Sequence, residues 1–360
     1  MIPHMLTYPI PEPARGGSPT RVAAGVHWLR LALPYRLDHI NVWLLEEDEG
    51  WTLVDTGLGS RASLQQWREL FRTVLRGIRI RRIVVTHYHV DHLGAAAQLA
   101  AERGLPVLMT ATEYRMAGIL HERTEAQTTA VRVEQFHRHG LDMSRIRAVR
   151  DAGDHYRSMV PGLPAVDTFL ADGDTLRIGG RDWRVITVGG HSPEQACLYS
   201  AADGLLIAGD QLLPDINSNV SLRPELGEEN PLGDYLASLD RLADLPRQTL
   251  VLPSHGVVYF GLHRRMAGIV AHRRRQHVRL LQACAEPRSA ADLLRVLYRR
   301  EPDAFTLGLA MGEMMAHLAY LHHRGALELV SDAPLRYRVR SGYPGWNEIA
   351  DGDWFDSPSH

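Results

Sequence analysis

The sequence predicts an α/β fold with a helical region appended at its C-terminal end. Three observations predict it. Short apolar runs alternate with segments of helical spacing from about Val22 to about Gly261. Several of these runs stop at loops that carry glycine, histidine and aspartate. Beyond about Gly261 the strand patterns give way to long helical stretches.

The elements follow in order. Residues 1–20 are rich in proline and glycine and read as an irregular arm. Strand signals begin at Val22. Residues 41–45 and 51–54 are apolar runs around an acidic turn, which is a hairpin pattern closed by Asp55-Thr56-Gly57. Leu64, Trp67, Leu70, Phe71 and Val74 recur at helical spacing. Residues 83–85 form a buried-strand run, followed by an alanine-rich helix over about 93–102 that stops at Gly104. Residues 107–109 are the next strand. Residues 112–160 are polar, lack strand alternation and read as two or three helices, with Gly140 as a stop. Within them Tyr114, Met116, Ile119 and Leu120 either line a pocket or pack, and His121, His137 and His139 face water. Strands resume near Thr175, run through 183–188, form a hairpin at 197–199 and 205–208, and end at 249–252. Three helices then follow: a basic one over 264–283, one with Ser289 at its N-cap, and one marked by Met311, Met314, Met315, Leu318 and Leu321 and stopped at Gly325. Residues 326–330 and 335–339 are short strands.

A chain of 360 residues suits one large domain plus a smaller one, and 45% hydrophobic content supplies a core. A net charge of −2 provides no global attraction to nucleic acid or anionic membrane. Two cysteines, Cys197 and Cys284, exclude a disulfide framework and a thiolate-rich zinc site. The N-terminal residues lack a secretory pattern, and no apolar run reaches bilayer length. A soluble, cytoplasmic protein is expected.

The histidine count of 19 is high, and the grouping is informative. His87, His89, Asp91 and His92 lie directly after a buried strand. In an extended segment His87, His89 and Asp91 share one side and His92 turns to the other, so one loop can feed two metals. A lone histidine is usually a surface or hydrogen-bonded residue. Four ligand-type residues within six positions are not explained that way, nor are His191, Asp210 and His255 at three later strand ends. Histidine and carboxylate suit zinc and neighbouring first-row metals. Two such cations can share a water, lower its pKa toward about 7 and polarise a substrate oxygen. No serine nucleophile is then required, and Ser192 and Ser254 read as loop-shaping residues. Tyr88 either faces substrate or packs. Asn217 and Asn219 read as turn residues, the methionine stripe as core, and Arg273-Arg274-Arg275 and Arg299-Arg300 as solvated helix faces.

Thr86-His87-Tyr88-His89-Val90-Asp91-His92 resembles the THxHxDH signature of the metallo-β-lactamase superfamily. Asp55-Thr56-Gly57 resembles its upstream strand end, and His191, Asp210 and His255 fall in the order of its remaining ligands. The resemblance covers about 22–262 and implies a four-layer αββα sandwich. It implies that His87, His89 and His191 bind one metal, that Asp91, His92 and His255 bind a second, and that Asp210 bridges them. Asp55 would support the loop. Two divalent ions are implied, zinc first, with manganese or iron as alternatives.

The expected organisation is an arm (1–21), a catalytic domain (22–262) with a helical cap insertion (112–160), and a C-terminal domain (263–360) similar to a winged-helix appendage. The expected activity is binuclear hydrolysis of an ester-like acyl bond, a thioester or lactone, by a metal-bridging hydroxide, with Asp91 and Asp210 as catalytic residues. This resembles the glyoxalase II and lactonase branches. The missing cysteine ligand, and the Asp91-His92 order, argue against the zinc β-lactamases that use one. A ribonuclease or phosphodiesterase is the first alternative, disfavoured by charge. A di-iron redox protein is the second, disfavoured because no glycine-rich flavin-binding segment is evident. The partner is then a small-molecule substrate, without nucleic acid or membrane, with a homo-oligomer left open. The third C-terminal helix lacks the Arg and Lys of a DNA reader.

Overall fold

A computed structural model describes residues 6–13, 17–152, 155–223 and 226–343. Residues 1–5 and 14–16 of the expected arm and the C-terminal tail after 343 lie outside the described residues. The chain forms two compact units.

The first unit comprises Met1–Glu125, Asp154–Ser218 and Leu245–Met266. It holds two sheets. One runs in sequence order through β1 (Thr20–Ala23), β2 (Val26–Ala32), β3 (His39–Glu47), β4 (Gly50–Val54), β5 (Ile80–Val84), β6 (Val107–Thr110) and β7 (Thr168–Leu170). The first four strands pair antiparallel, and β4 to β7 pair parallel. Parallel neighbours need crossovers. Helix α1 (Arg61–Arg72) makes one, and α2 (Val90–Leu93) with α3 (Ala96–Arg103) makes the next. The second sheet contains β8 (Thr175–Ile178), β9 (Arg181–Val188), β10 (Gln195–Ser200), β11 (Leu205–Gly209), β12 (Leu250–Pro253) and β13 (Tyr259–Phe260), in the order 13-12-11-10-9-8. Within the N-terminal arm, Thr7 bridges Phe260 of β13.

Apolar side chains of both sheets meet in one core. Trp28, Trp43, Val54 and Val84 of the first face Trp183, Val185, Leu198, Ile207 and Leu252 of the second. Trp28 and Trp43 stack across β2 and β3 with centroids 6.2 Å apart. Such burial is worth about 1.5–3 kcal/mol per large side chain. Helices lie outside the sheets, which is the expected αββα class.

Local sequence explains the element ends. Ser60 caps α1 by accepting from Ser63 N, and Thr110 caps α4 (Ala111–Glu122) by accepting from Glu113 N. The helix expected over about 93–102 is α3, starting at Ala96, while Leu93 instead ends the short α2, and the two are separated at Gly94 and Ala95. A Cβ on Gly94 would lie 2.4 Å from Gly59 N and 2.7 Å from Gly57 O. The chain therefore bends where two backbones press together. Gly104, in the left-handed region at φ 62°, ends α3 as expected.

The second unit comprises Ala126–Gly153, Asn219–Asp244 and Ala267–His360. Residues 112–160 fold into four helices rather than two or three: α4, α5 (Glu125–Arg138), α6 (Met143–Ala152) and α7 (Tyr156–Met159). Helix α8 (Pro231–Ala243) is absent from the sequence-based expectation, although Asn230 caps it and Leu232, Tyr235, Leu236, Leu239 and Leu242 form its buried face. The three later helices and the hairpin are present: α9 (Leu262–Ala283), α10 (Ala290–Leu297), α11 (Ala304–His323), β14 (Leu327–Asp332) and β15 (Leu335–Val339). Ser289 and Asp292 cap α10 reciprocally. Met311, Met314 and Met315 are buried, as a core stripe should be.

Two readings of this unit need correction. Arg273 is no solvated face: it is buried and pairs with Glu313 of α11. Around it Tyr298 donates to Glu313 at 2.5 Å and buried His277 and His317 meet at 3.0 Å, whereas Arg275, Arg299 and Arg300 are exposed as expected. His139, expected to face water, is buried beside Tyr337. Local charge patterns do not reveal a partner 40 residues away.

Candidate metal centre

The four ligand-bearing segments all leave the same ends of the sheets. The loop after β5 carries His87, His89, Asp91 and His92. The loop after β9 carries His191, Asp210 follows the end of β11 at Gly209, and His255 lies two residues after β12 ends at Pro253. The sheets thus bring together all seven residues expected from sequence. His87, His89 and His191 form one group with ligand atoms mutually within 4.8 Å, His87, His92 and Asp210 another, and Asp91, His92 and His255 a third.

The distances are those of ligands around cations. In the first group His87 Nε2 and His89 Nδ1 are 2.9 Å apart, His89 Nδ1 and His191 Nε2 2.9 Å, and His191 Nε2 and His87 Nε2 3.2 Å. Three nitrogens in a triangle cannot all pair donor with acceptor, whereas three lone pairs can share one cation. In the third group His255 Nε2 is 3.3 Å from Asp91 Oδ2, and His92 Nε2 is 3.9 Å from Asp91 Oδ1. Asp210 faces both groups. Its Oδ2 lies 3.3 Å from His191 Nε2, and its Oδ1 lies 3.4 Å from both His92 Nε2 and His255 Nε2. Tetrahedral zinc with bonds of about 2.0–2.1 Å to nitrogen separates its ligands by about 3.4 Å. The buried Nε2 of His92 and Oδ1 of Asp210 make no hydrogen bond among the described residues. The residues fit metal ions.

The charge balance points the same way. Burial and the neighbouring imidazoles of His92, His89 and His191 hold the His87 pKa well below its ordinary range. Burial works against charge on His255 too, but Asp210 and Asp91 outweigh it and lift its pKa to about 10. Asp210 is held well below the carboxylate range: burial opposes this, and His255 and His92 prevail. The pocket draws positive charge to its carboxylate side and keeps lone pairs free on its imidazole side.

A surrounding set of residues fixes these rings. Asp55 Oδ2 lies 2.7 Å from His92 Nδ1, and Asp55 Oδ1 accepts from Thr86 N at 2.8 Å. Holding Nδ1 turns Nε2 toward the site. Asp55 is the sole non-glycine residue with positive φ (62°) among the described residues, and such backbone strain often marks functional positions. The His39 carbonyl lies 2.7 Å from His255 Nδ1. Asn41 donates to Pro253 O and Gly256 O, and Arg30 reaches Asn41 Oδ1, so β2 and β3 clasp the His255 turn. Gln195 is buried, accepts from Asp210 N at 3.1 Å and donates to Ala208 O. Gly209 makes this possible, since a Cβ there would meet the Gln195 amide at 2.8 Å. Tyr88 is buried and packs 4.6 Å from the His89 ring, so packing is its role.

Glu113 escaped the sequence reading. It is buried on α4, its Oε2 accepts from Tyr88 N at 2.9 Å and its Oε1 accepts from Glu194 N at 2.7 Å. Burial pushes its pKa up to about 7 against the pull of those bonds. Asn217 accepts from Arg265, and Asn219 accepts from Ser221, both as turn residues. Met116 and Leu120 of α4 are buried, whereas half-buried Tyr114 lies 5.9 Å from the exposed ring of Phe169.

Comparison with known proteins adds three findings. Residues 35–255 match the family model of the metallo-beta-lactamase superfamily, and residues 278–340 match that of a metallo-beta-lactamase-like C-terminal domain. The crystal structure of a beta-lactamase domain protein from Burkholderia ambifaria is similar at TM-score 0.85 and 39% identity, over 94% of this chain and 99% of that one. Two named relatives are thioesterases. Acyl-coenzyme A thioesterase MBLAC2 of Homo sapiens is 26% identical over 244 residues, 64% of this chain and 78% of its own. Atrochrysone carboxyl ACP thioesterase AgnL7 of Paecilomyces divaricatus is 22% identical over 316 residues, 87% of this chain and 81% of its own.

Proposed function

Because the chain belongs to the metallo-beta-lactamase superfamily, we propose that it hydrolyses a small acyl thioester with the help of two divalent cations. His87, His89 and His191 would hold one cation, Asp91, His92 and His255 the other, and Asp210 both. One observation carries this reading: the two oxygens of Asp210 turn to different ligand groups. Zinc is the first candidate, since five imidazoles and two carboxylates suit it. When bound, the pair would supply Lewis acidity and a water acidified toward about pH 7.

The chain's own residues supply the geometry. Asp55, Thr86 and the His39 carbonyl fix the Nδ1 sides of His92 and His255. Asp91, more exposed than Asp210, is placed to take up the proton that the attacking water releases. Asp210 keeps negative charge between the two ligand groups, where it would offset part of the positive charge of the cations.

The thioester class is supported by the names of the two relatives. The catalytic part is taken as 22–262 with 112–160 as a cap, and the C-terminal part as a winged-helix-like support. Buried free Cys197 and Cys284 suit a reducing cytoplasm. Purified protein should be assayed on acyl-coenzyme A thioesters, lactones, phosphodiesters and β-lactams. Thioesters should give the highest kcat/KM. Turnover of phosphodiesters alone would contradict the proposal.

A further inference from the structure

Glu113 occupies the third helical position after the Thr110 cap of α4. A glutamate there ordinarily reaches back to the cap's own N–H. Here its two oxygens go elsewhere. One accepts from Tyr88 N, the residue between His87 and His89, and the other from Glu194 N, three residues after His191. The knot is reciprocal. Thr112 N donates to Glu194 Oε2 at 3.3 Å, and Thr110 Oγ1 donates to the Glu194 carbonyl at 3.0 Å. The Tyr88 carbonyl accepts from Tyr156 Oη at 2.9 Å, so both polar backbone groups of Tyr88 are held.

The residues that Glu113 bonds flank the three imidazoles of one ligand group. Asp91 and His92 follow on the same loop, but His92 is held separately by Asp55 and Thr56, and His255 stands on a third segment. His87 and His89 come from one loop and His191 from another, about 100 residues later. Ala196 N donates to Thr86 O at 2.9 Å where the two segments leave their sheets, and Glu113 adds a second tie nearer the rings by bonding both backbones at once. Keeping a carboxylate fully buried for this purpose costs desolvation, which helix capping alone would not require.

We propose that Glu113 is the positioning residue of the three-histidine cation site: its carboxylate bolts the His87–His89 loop to the His191 loop and so sets the affinity of that site over its neighbour. The inference rests on the two-cation reading above. Glu113 touches no reacting atom and acts through the three rings.

The test is a metal titration of the full chain, stripped and reloaded with zinc, for wild type, Glu113→Gln, His89→Ala, and the double variant. Gln keeps the size but one oxygen becomes an amide nitrogen that cannot accept. Glu113→Gln should weaken one of two equivalents by about 10–100-fold, as loss of a partner behind metal ligands does. Its remaining equivalent should bind as in wild type. In the His89→Ala background the same substitution should change little, because both act on one site. The melting temperature of stripped Glu113→Gln should stay near that of stripped wild type. Two equivalents of unchanged affinity in Glu113→Gln would overturn the proposal, as would equal weakening of both. If Glu113→Gln fails to fold, Glu113→Asp, which is too short to reach both loops, is titrated with the same reading. Wild type binding a single equivalent would defeat the two-cation reading instead, and Glu113 would then be judged on that equivalent.

Discussion

Residues at the site differ in how visible they are in the sequence. The ligands announce themselves because histidine and aspartate crowd into one loop and recur at strand ends. Their supports do not. Glu113, Gln195 and Asn41 act on backbone groups far away in the chain, and nothing in the identity of a single glutamate or asparagine declares such a partner. Thr110 followed by Glu113 does read as a helix start, but the glutamate's long-range use appears only in three dimensions. His139 shows the same limit in the second unit. It is buried with no hydrogen-bond partner for Nδ1 among the described residues, and burial together with Arg138 lowers its pKa to about 4. The unfolded chain binds that proton from about pH 6.5 downward. Folded-state stability is therefore lost as pH falls from about 6.5 to 4, by about 3 kcal/mol from this group. Urea unfolding at pH 7 and pH 4.5 should show a smaller drop for His139→Gln than for wild type. Equal drops would mean that His139 takes up its proton in the folded state.

Helices and strands were legible where periodicity was strong and isolated. The hairpin of β3 and β4, the strand ends at Asp210 and His255, and the three final helices lie where their patterns put them. The separate α2 and the start of α3 at Ala96 were not legible, because the close approach of Gly59 and Gly94 that sets the turn between them joins residues 35 apart in the chain. Helix α8 had its signals, Asn230-Pro231 and a leucine face, but they sit in a loop-like stretch between two ligands. Helices α9 and α11 carry the buried Arg273–Glu313 pair, which a run of arginines conceals. Removing Glu313 leaves the buried Arg273 guanidinium without a facing carboxylate. Glu313→Ala should cost about 3–5 kcal/mol, while replacing both Arg273 and Glu313 with apolar residues of similar size should cost far less. Denaturant midpoints of the single and double variants decide this. A harmless Glu313→Ala would show that Arg273 is stabilised by other means.

At the scale of the whole molecule, the two sheets exist to bring four chain segments to one point. The fold class and the family resemblance were both legible from the order of strands and ligands. Substrate choice was not, since it depends on side chains that neither spacing nor motif identifies. No helix among the described residues is long and apolar enough to cross a membrane. The account's central claim is that hydrolysis depends on cations held by the seven residues around Asp210. Its most direct measurement is metal content alongside acyl-thioester turnover, before stripping, after stripping with chelator, and after zinc is returned. Two equivalents per chain, loss of turnover with the metal and its return with zinc are the predicted result, with Asp210→Ala losing both together. Full turnover by stripped protein would contradict the account.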